Sequence, residues 1–273
     1  MTDVAFLCAM PIELRPLVRR LGLRPMRAGS MRAYAGSCGG RPVLAMVTGI
    51  GTARAAAATE RLLGLVTVRH VRVFGISGAL DASTPIGAVV RPEVVIRGAT
   101  GTTHVPAPGQ GQTPAEGDPG SHKQGRTALW TADELITDPQ ILAKLRAKGV
   151  VALDMETAAI AEVCQRSGVS WSVVRAISDR ADDGTVTEEV FGLSHADGTP
   201  DLAAVTRYVV RHPRRVPGLI RLAADARRAT RLAADAAISD IAGPLLHLYS
   251  DSNGADDAPE PGRGRPGMRP KGE

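Results

Sequence analysis

Aromatic residues are scarce in this 273-residue chain, making up 3% of it. Surfaces that bind single-stranded nucleic acid stack bases on exposed aromatics, so nucleic acid is not an expected partner. The core must rest on Val, Leu, Ile and Ala, which suits a parallel sheet flanked by helices. Cysteine is also sparse. Cys8, Cys38 and Cys164 share no motif spacing, and Cys8 and Cys164 lie in apolar runs that read as reduced core positions. No uninterrupted apolar run reaches the roughly 18 residues of a membrane span. No charged start followed by an apolar core reads as a targeting segment. A cytoplasmic location is expected.

Several catalytic signatures are missing as well. There is no G-x-x-x-x-G-K-[ST], no H-E-x-x-H and no cluster of Cys and His, and the six histidines are scattered. Neither a metal site nor a cofactor is expected. Ser77 does not sit in G-x-S-x-G, so nothing supports a serine-hydrolase elbow. Thr48-Gly49-Ile50-Gly51 lacks the third glycine of the dinucleotide fingerprint and reads better as a tight strand-to-helix junction.

What the chain does have is an alternation of short apolar runs and helical patterns. Residues 4–9, 31–37, 42–47, 70–76, 87–96, 150–153 and 169–177 read as strands, with Gly39-Gly40 as a hairpin turn and Ser77-Gly78 ending the fourth. Helices are expected from Pro11 on, over 52–65, from about Asp138-Pro139 to 148, and over 155–166, 201–211 and 217–241. Residues 101–126 read as a long mobile loop. The fold class that follows is α/β, a three-layer α/β/α sandwich around a mixed central sheet. A single domain is expected over 1–245, with a core at 3–190, a helical C-terminal extension at 201–241 and a disordered tail at 251–273.

The net charge is +5, and much of the excess is local: Arg207, Arg211, Arg214, Arg215, Arg221, Arg227, Arg228 and Arg231 cluster near the C-terminus. The bland reading is a solvated helix surface. The sharper one is weak contact of these basic helices with an anionic membrane surface.

In sandwiches of this kind ligands bind beyond the carboxyl ends of the strands. That rule draws attention to Glu13, to Asp154-Met155-Glu156-Thr157 and to Arg175-Ala176-Ile177-Ser178-Asp179. Glu156 at a helix start should be held in its ionised form by the helix dipole and could accept two hydroxyls of a ribose. The alternative is that Asp154 or Glu156 only supports the helix start. Asp179 closes an apolar strand, where desolvation would favour a protonated carboxyl able to donate to a leaving group; otherwise it caps the next turn. Glu13, one turn into the first helix, could activate a water as a general base, or simply face solvent.

Ala9-Met10-Pro11-Ile12-Glu13, Asp154-Met155-Glu156-Thr157-Ala158-Ala159-Ile160-Ala161 and Val174-Arg175-Ala176-Ile177-Ser178-Asp179, in this order, resemble the nucleoside phosphorylase superfamily. Within it they look most like the 5′-methylthioadenosine/S-adenosylhomocysteine nucleosidases. The resemblance spans residues 3–190, and the C-terminal stretch from Gly198 to Leu222 looks like that of hopanoid-associated phosphorylases. It implies that Glu13 deprotonates water, Arg175 positions it, Met155 and Glu156 line the ribose, and Asp179 protonates purine N7. Ile76, Ser77, Gly78, Ser178, Leu135 and Ile136 would complete the nucleoside pocket.

Two departures stand out. Ile76 occupies the place where many members carry a small hydroxyl residue, with Ser77 one place later, and Leu135 replaces a stacking aromatic. Related phosphorylases carry a Gly-Asp-Pro-x-Arg segment for phosphate where this chain has Ala-Met-Pro-Ile-Glu. The expected activity is hydrolysis of the N-glycosidic bond of a 5′-substituted purine nucleoside by a homo-oligomer. A phosphorylase of hopanoid or other secondary metabolism is the second reading, and a nucleoside-binding relic without activity the third.

Overall fold

The computed structural model describes residues 1–81, 83–107, 127–181, 186–195 and 198–251, without side-chain detail at 28 and 242–251. In chain order the elements are β1 (Thr2–Cys8), α1 (Pro11–Leu21), β2 (Arg24–Ala28), β3 (Met31–Cys38), β4 (Arg41–Val47), α2 (Thr52–Leu65), β5 (Val68–Ala79), β6 (Val89–Val90), β7 (Val94–Arg97) and β8 (Thr103–His104). They continue with β9 (Ala128–Thr131), α3 (Pro139–Ala147), β10 (Val150–Asp154), α4 (Thr157–Arg166), β11 (Ser170–Arg180), α5 (Glu188–Phe191), α6 (Leu202–Arg211) and α7 (Val216–Asp251), with a 3₁₀ turn at Pro213–Arg215.

One mixed sheet runs in the order β2-β3-β4-β1-β5-β10-β9-β7-β8. β11 pairs in parallel with β5 and carries β6 on its other side. β1 is parallel to both β4 and β5, so these strands and β11 point their carboxyl ends the same way.

Successive residues of a strand face opposite sides of the sheet, and the apolar runs use both. Ala5, Leu7, Val71 and Val73 pack beneath Ala55 and Leu62 of α2 and Ala158, Ala161 and Cys164 of α4. On the other face Val4, Phe6, Phe74 and Val174 meet Leu14 and Leu17 of α1 and Ala234, Ala237 and Ile241 of α7. The result is the expected three-layer sandwich. Two of the few aromatics, Phe6 and Phe74, stand edge to face in its core with ring centroids 6.1 Å apart.

α7, the second helix of the expected 201–241 extension, packs into the core. Its alanines Ala229, Ala233, Ala234 and Ala237 are fully buried and let the helix approach the sheet closely. A buried ion pair pins it: Asp240 takes Arg91 in a two-pronged contact (3.1 and 2.9 Å) and Arg72 at 3.3 Å.

Several expected boundaries are corrected. β5 does not stop at Ser77-Gly78; it runs on to Ala79, where it pairs with β10 as well as β11. β11 extends past residue 177 to Arg180, with a bulge between Ile177 and Asp179, so Asp179 lies inside the strand. The 87–96 stretch is two strands, split around Pro92. Within the expected 101–126 loop, Thr103–His104 forms β8, and 108–126 lies outside the described residues. α7 continues ten residues beyond the expected 241, and 252–273, most of the expected tail, is likewise outside the described residues.

Candidate active site

Glu13 owes its position to the start of α1. Pro11 sets the first helical turn, and Glu13 at the third position reaches back so that its Oε2 accepts the Met10 backbone N–H at 2.8 Å. Its Oε1 accepts the Ile76 N–H from β5 at 2.8 Å. The side chain is 1% exposed, so it faces neither solvent nor the helix surface. Burial raises its pKa above 4.5, against the pull of Arg175 and the backbone donors.

Gly75 makes this approach possible. A Cβ there would lie 2.3 Å from Glu13 Oε1 and 2.7 Å from Arg175 Nη1, and its φ is +152°.

Arg175 comes from the middle of β11, flanked in sequence by the apolar Val174 and Ala176. A buried guanidinium needs a buried partner, and Asp154 at the end of β10 supplies it through a very short contact with Nη2. Asp154 also accepts from Thr131 Oγ1 at 2.6 Å and from the Thr157 N–H at 3.1 Å, and it is bonded to the Thr157 hydroxyl. Arg175 Nη2 reaches Thr157 Oγ1 at 2.7 Å, and Nη1 reaches the Ile76 carbonyl at 3.4 Å. Asp154 thus does support the start of α4 while anchoring the arginine.

Glu156 is at the cap position of α4, but its carboxylate does not serve that helix. Oε1 crosses to accept the Gly51 N–H at 2.9 Å, at the start of α2, while Oε2 lies 3.7 Å from Arg175. The Thr48–Gly51 segment is held there by Thr48 N–H to the Cys8 carbonyl (2.8 Å) and Gly49 N–H to the Ala9 carbonyl (3.1 Å). The expectation that a helix dipole favours the ionised form is corrected. Burial, then the neighbouring Asp154 charge, push the Glu156 pKa up from 4.5 to about 8, outweighing Arg175 and the Gly51 donor.

Asp179 stands past the β11 bulge, opposite Gly78 of β5. Its Oδ1 accepts from the Ser178 hydroxyl, and Gly78 leaves room for Oδ2, which would lie 3.3 Å from a Cβ there. Ser178 is buried and also reaches the Ser77 carbonyl at 3.4 Å. Ser77 Oγ is buried without a hydrogen-bond partner. Ile76 contributes its backbone through the N–H held by Glu13.

Glu13, Asp154, Glu156 and Arg175 therefore form one interacting group, with Ile76, Ser77, Gly78, Ser178 and Asp179 on the adjoining β5–β11 pair. Met155 is half-buried between Asp154 and Glu156. Leu135 and Ile136, also half-buried, follow Thr131 in the β9–α3 connection, where Ile136 packs with Leu80 and Leu142. Among the described residues, no hydrogen bond joins these two to the carboxylate group. A separate cavity of about 310 Å³ beside the end of β11 is lined by Thr137, Pro139, Ala181, Val186 and Thr187 among others, and by none of the expected site residues.

Sequence reasoning missed Thr131, Thr157 and Gly51 as the groups that hold the site carboxylates. A usable signal existed for Asp154: an arginine inside an apolar strand demands a buried counter-charge, and Asp154 ends the nearest apolar run that carries one.

Fold and site together define an α/β sandwich with titratable groups gathered at the carboxyl ends of its strands. The chain belongs to the phosphorylase superfamily, whose family description is matched by residues 3–211. Among curated proteins it is 30% identical over 171 residues to a 5′-methylthioadenosine/S-adenosylhomocysteine nucleosidase of Marinomonas sp. (strain MWYL1), covering 54% of this chain and 72% of that protein. The counterpart from Actinobacillus succinogenes is 31% identical over 174 residues, covering 57% and 76%.

Among solved structures, the Streptococcus pneumoniae nucleosidase with a transition-state inhibitor superposes with a TM-score of 0.66 at 17% identity, covering 88% of this chain and 99% of that one. The Helicobacter pylori futalosine hydrolase gives 0.57 at 16% identity, covering 92% and 98%. These two likenesses establish the fold.

Proposed function

We propose that this protein is a nucleosidase that hydrolyses the N-glycosidic bond of a purine nucleoside carrying a 5′-substituent, with 5′-methylthioadenosine or S-adenosylhomocysteine as the leading candidates. The observation that carries the reading is the way Glu13 is held. Both of its oxygens are engaged by backbone donors, Met10 N–H and Ile76 N–H. A phosphate nucleophile would need such donors for itself, and here a carboxylate has taken them. The remaining lone pairs of Glu13 suit a water, which the carboxylate orients and deprotonates.

Cleavage of the C1′–N9 bond builds positive character on the sugar and negative charge on the base. Glu156, facing the ribose, hydrogen-bonds its hydroxyls. Asp179, steadied by Ser178, hydrogen-bonds or protonates N7 of the leaving purine. Arg175 acts chiefly through Asp154, whose charge it balances in a site that gathers three carboxyl groups. The nucleosidase relatives support the reaction class. A homo-oligomer is part of the same proposal.

The test is a base-release assay across 5′-substituted purine nucleosides, with and without phosphate. Release that is independent of phosphate is the expected result. Release that requires phosphate supports a phosphorylase, and nucleoside binding without release supports a binding protein; either overturns the proposal.

A further inference from the structure

The C-terminal helices carry exposed aliphatic side chains among a run of arginines. Between residues 202 and 224 the chain carries Arg207, Arg211, Arg214, Arg215 and Arg221 and no acidic residue. On the same stretch Leu202, Val210 and Ile220 are 76%, 75% and 65% exposed.

The helical period aligns Leu202, Thr206 and Val210 in one row on α6, with Arg207 and Arg211 along its flank. The inner side of this unit is already satisfied. Tyr208 is buried, packs against the His212 ring at 4.8 Å between centroids, and accepts from Arg215 Nη1 at 3.3 Å. Arg215 also meets Glu189 at 3.7 Å. Among the described residues, Arg211, Arg214 and Arg221 form no ion pair.

We infer that α6, the following 3₁₀ turn and the first turns of α7 form a docking face for an anionic lipid surface. Such a surface satisfies both halves of the pattern: phosphate headgroups take the arginines, and the acyl boundary takes Leu202, Val210 and Ile220. Other occupants satisfy only one. A second copy packed about a twofold axis would set the same arginines against each other. A nucleic acid would leave the aliphatics without a partner, and the one aromatic of α6, Tyr208, is buried and unavailable for stacking. No helix among the described residues is long and apolar enough to cross a membrane, so the contact is peripheral.

The segment leading into α6 touches the start of α1. Gly198, in the segment leading into α6, packs so closely on Met10 that a Cβ would fall 2.3 Å from Met10 Cγ, and the Met10 N–H holds Glu13. Docking does not depend on which reaction the site catalyses.

Vesicle co-sedimentation of the full chain tests this, with phosphatidylglycerol/phosphatidylcholine vesicles beside phosphatidylcholine alone. The protein is expected to sediment with the anionic vesicles only. The triple change Leu202→Ser, Val210→Ser, Ile220→Ser and, separately, Arg207→Glu with Arg211→Glu are each expected to weaken binding about tenfold or more. Their circular dichroism and melting temperature should match wild type, because the altered side chains are exposed; Val210→Asp alone serves if the triple change misfolds. The proposal is overturned if wild type ignores anionic vesicles. It is also overturned if binding survives loss of the aliphatics, which would mark a general polyanion site. A wild-type oligomer that the serine changes dissolve would overturn it too, by marking a subunit interface.

Discussion

Glu13, Glu156 and Asp179 carry the proposed chemistry, and each has a distinct expected signature. Asp179→Asn keeps the size of the side chain and removes its acid. It should lower kcat by about 10²-fold or more, the span of a lost general acid, with an unchanged melting temperature; near-wild-type turnover would show that another group protonates the base. Glu13 must be ionised to take a proton from water, and burial raises its pKa. The acid limb of kcat/KM against pH should therefore lie above the ordinary 4.5. Glu156 should show in stability as well. Its folded pKa of about 8 exceeds the unfolded 4.5, so the folded chain binds the extra proton between these values. The stability it contributes is complete below about pH 4.5 and is lost as pH rises through 8. Glu156→Gln should flatten that decline in a series of thermal melts, and an unchanged decline would mean that Glu156 titrates normally in the fold.

β5 and β11 are the elements on which the site depends, and Gly75 is where they are least tolerant. Gly75→Ala would press a methyl group onto Glu13 and Arg175, neither of which can retreat: Glu13 is held by two backbone donors and Arg175 by Asp154. A loss of about 1–3 kcal/mol in denaturant unfolding together with a fall in kcat is expected. α7 is held to the sheet by the Arg72–Asp240–Arg91 contact, and Asp240→Ala would strand a buried guanidinium. It should cost about 3–5 kcal/mol in the same measurement. These elements were unequally legible in the sequence. β1, β5 and β11 stand out as apolar runs because they are buried on both faces. β2, whose sequence is Arg-Pro-Met-Arg-Ala, carries no such pattern and is a strand only because β3 pairs with it. β8 and β9 are too short to show a period, and the partners of β9 are distant in sequence. Ser77-Gly78 resembles a turn in sequence, yet Gly78 continues β5 and pairs with Asp179, whose Oδ2 would lie 3.3 Å from a Cβ there.

The molecule as a whole joins a family fold to a site whose contacts are mostly nonlocal. The residue types at Glu13, Glu156 and Asp179 could be read from the chain, but Gly51 lies 105 positions from the Glu156 it holds, and Ile76 lies 63 from Glu13. Local sequence could not predict those distances, nor that burial would reverse the charge preference expected for Glu156. In the proposed function, Glu13 is the residue that separates hydrolysis from phosphorolysis. The most direct measurement is base release from 5′-methylthioadenosine in phosphate-free buffer by wild type beside Glu13→Gln. Phosphate-free release by wild type, reduced about 10²-fold or more in the variant, is the predicted result. Release that appears only on adding phosphate, or that is unaffected by Glu13→Gln, would contradict water activation by Glu13.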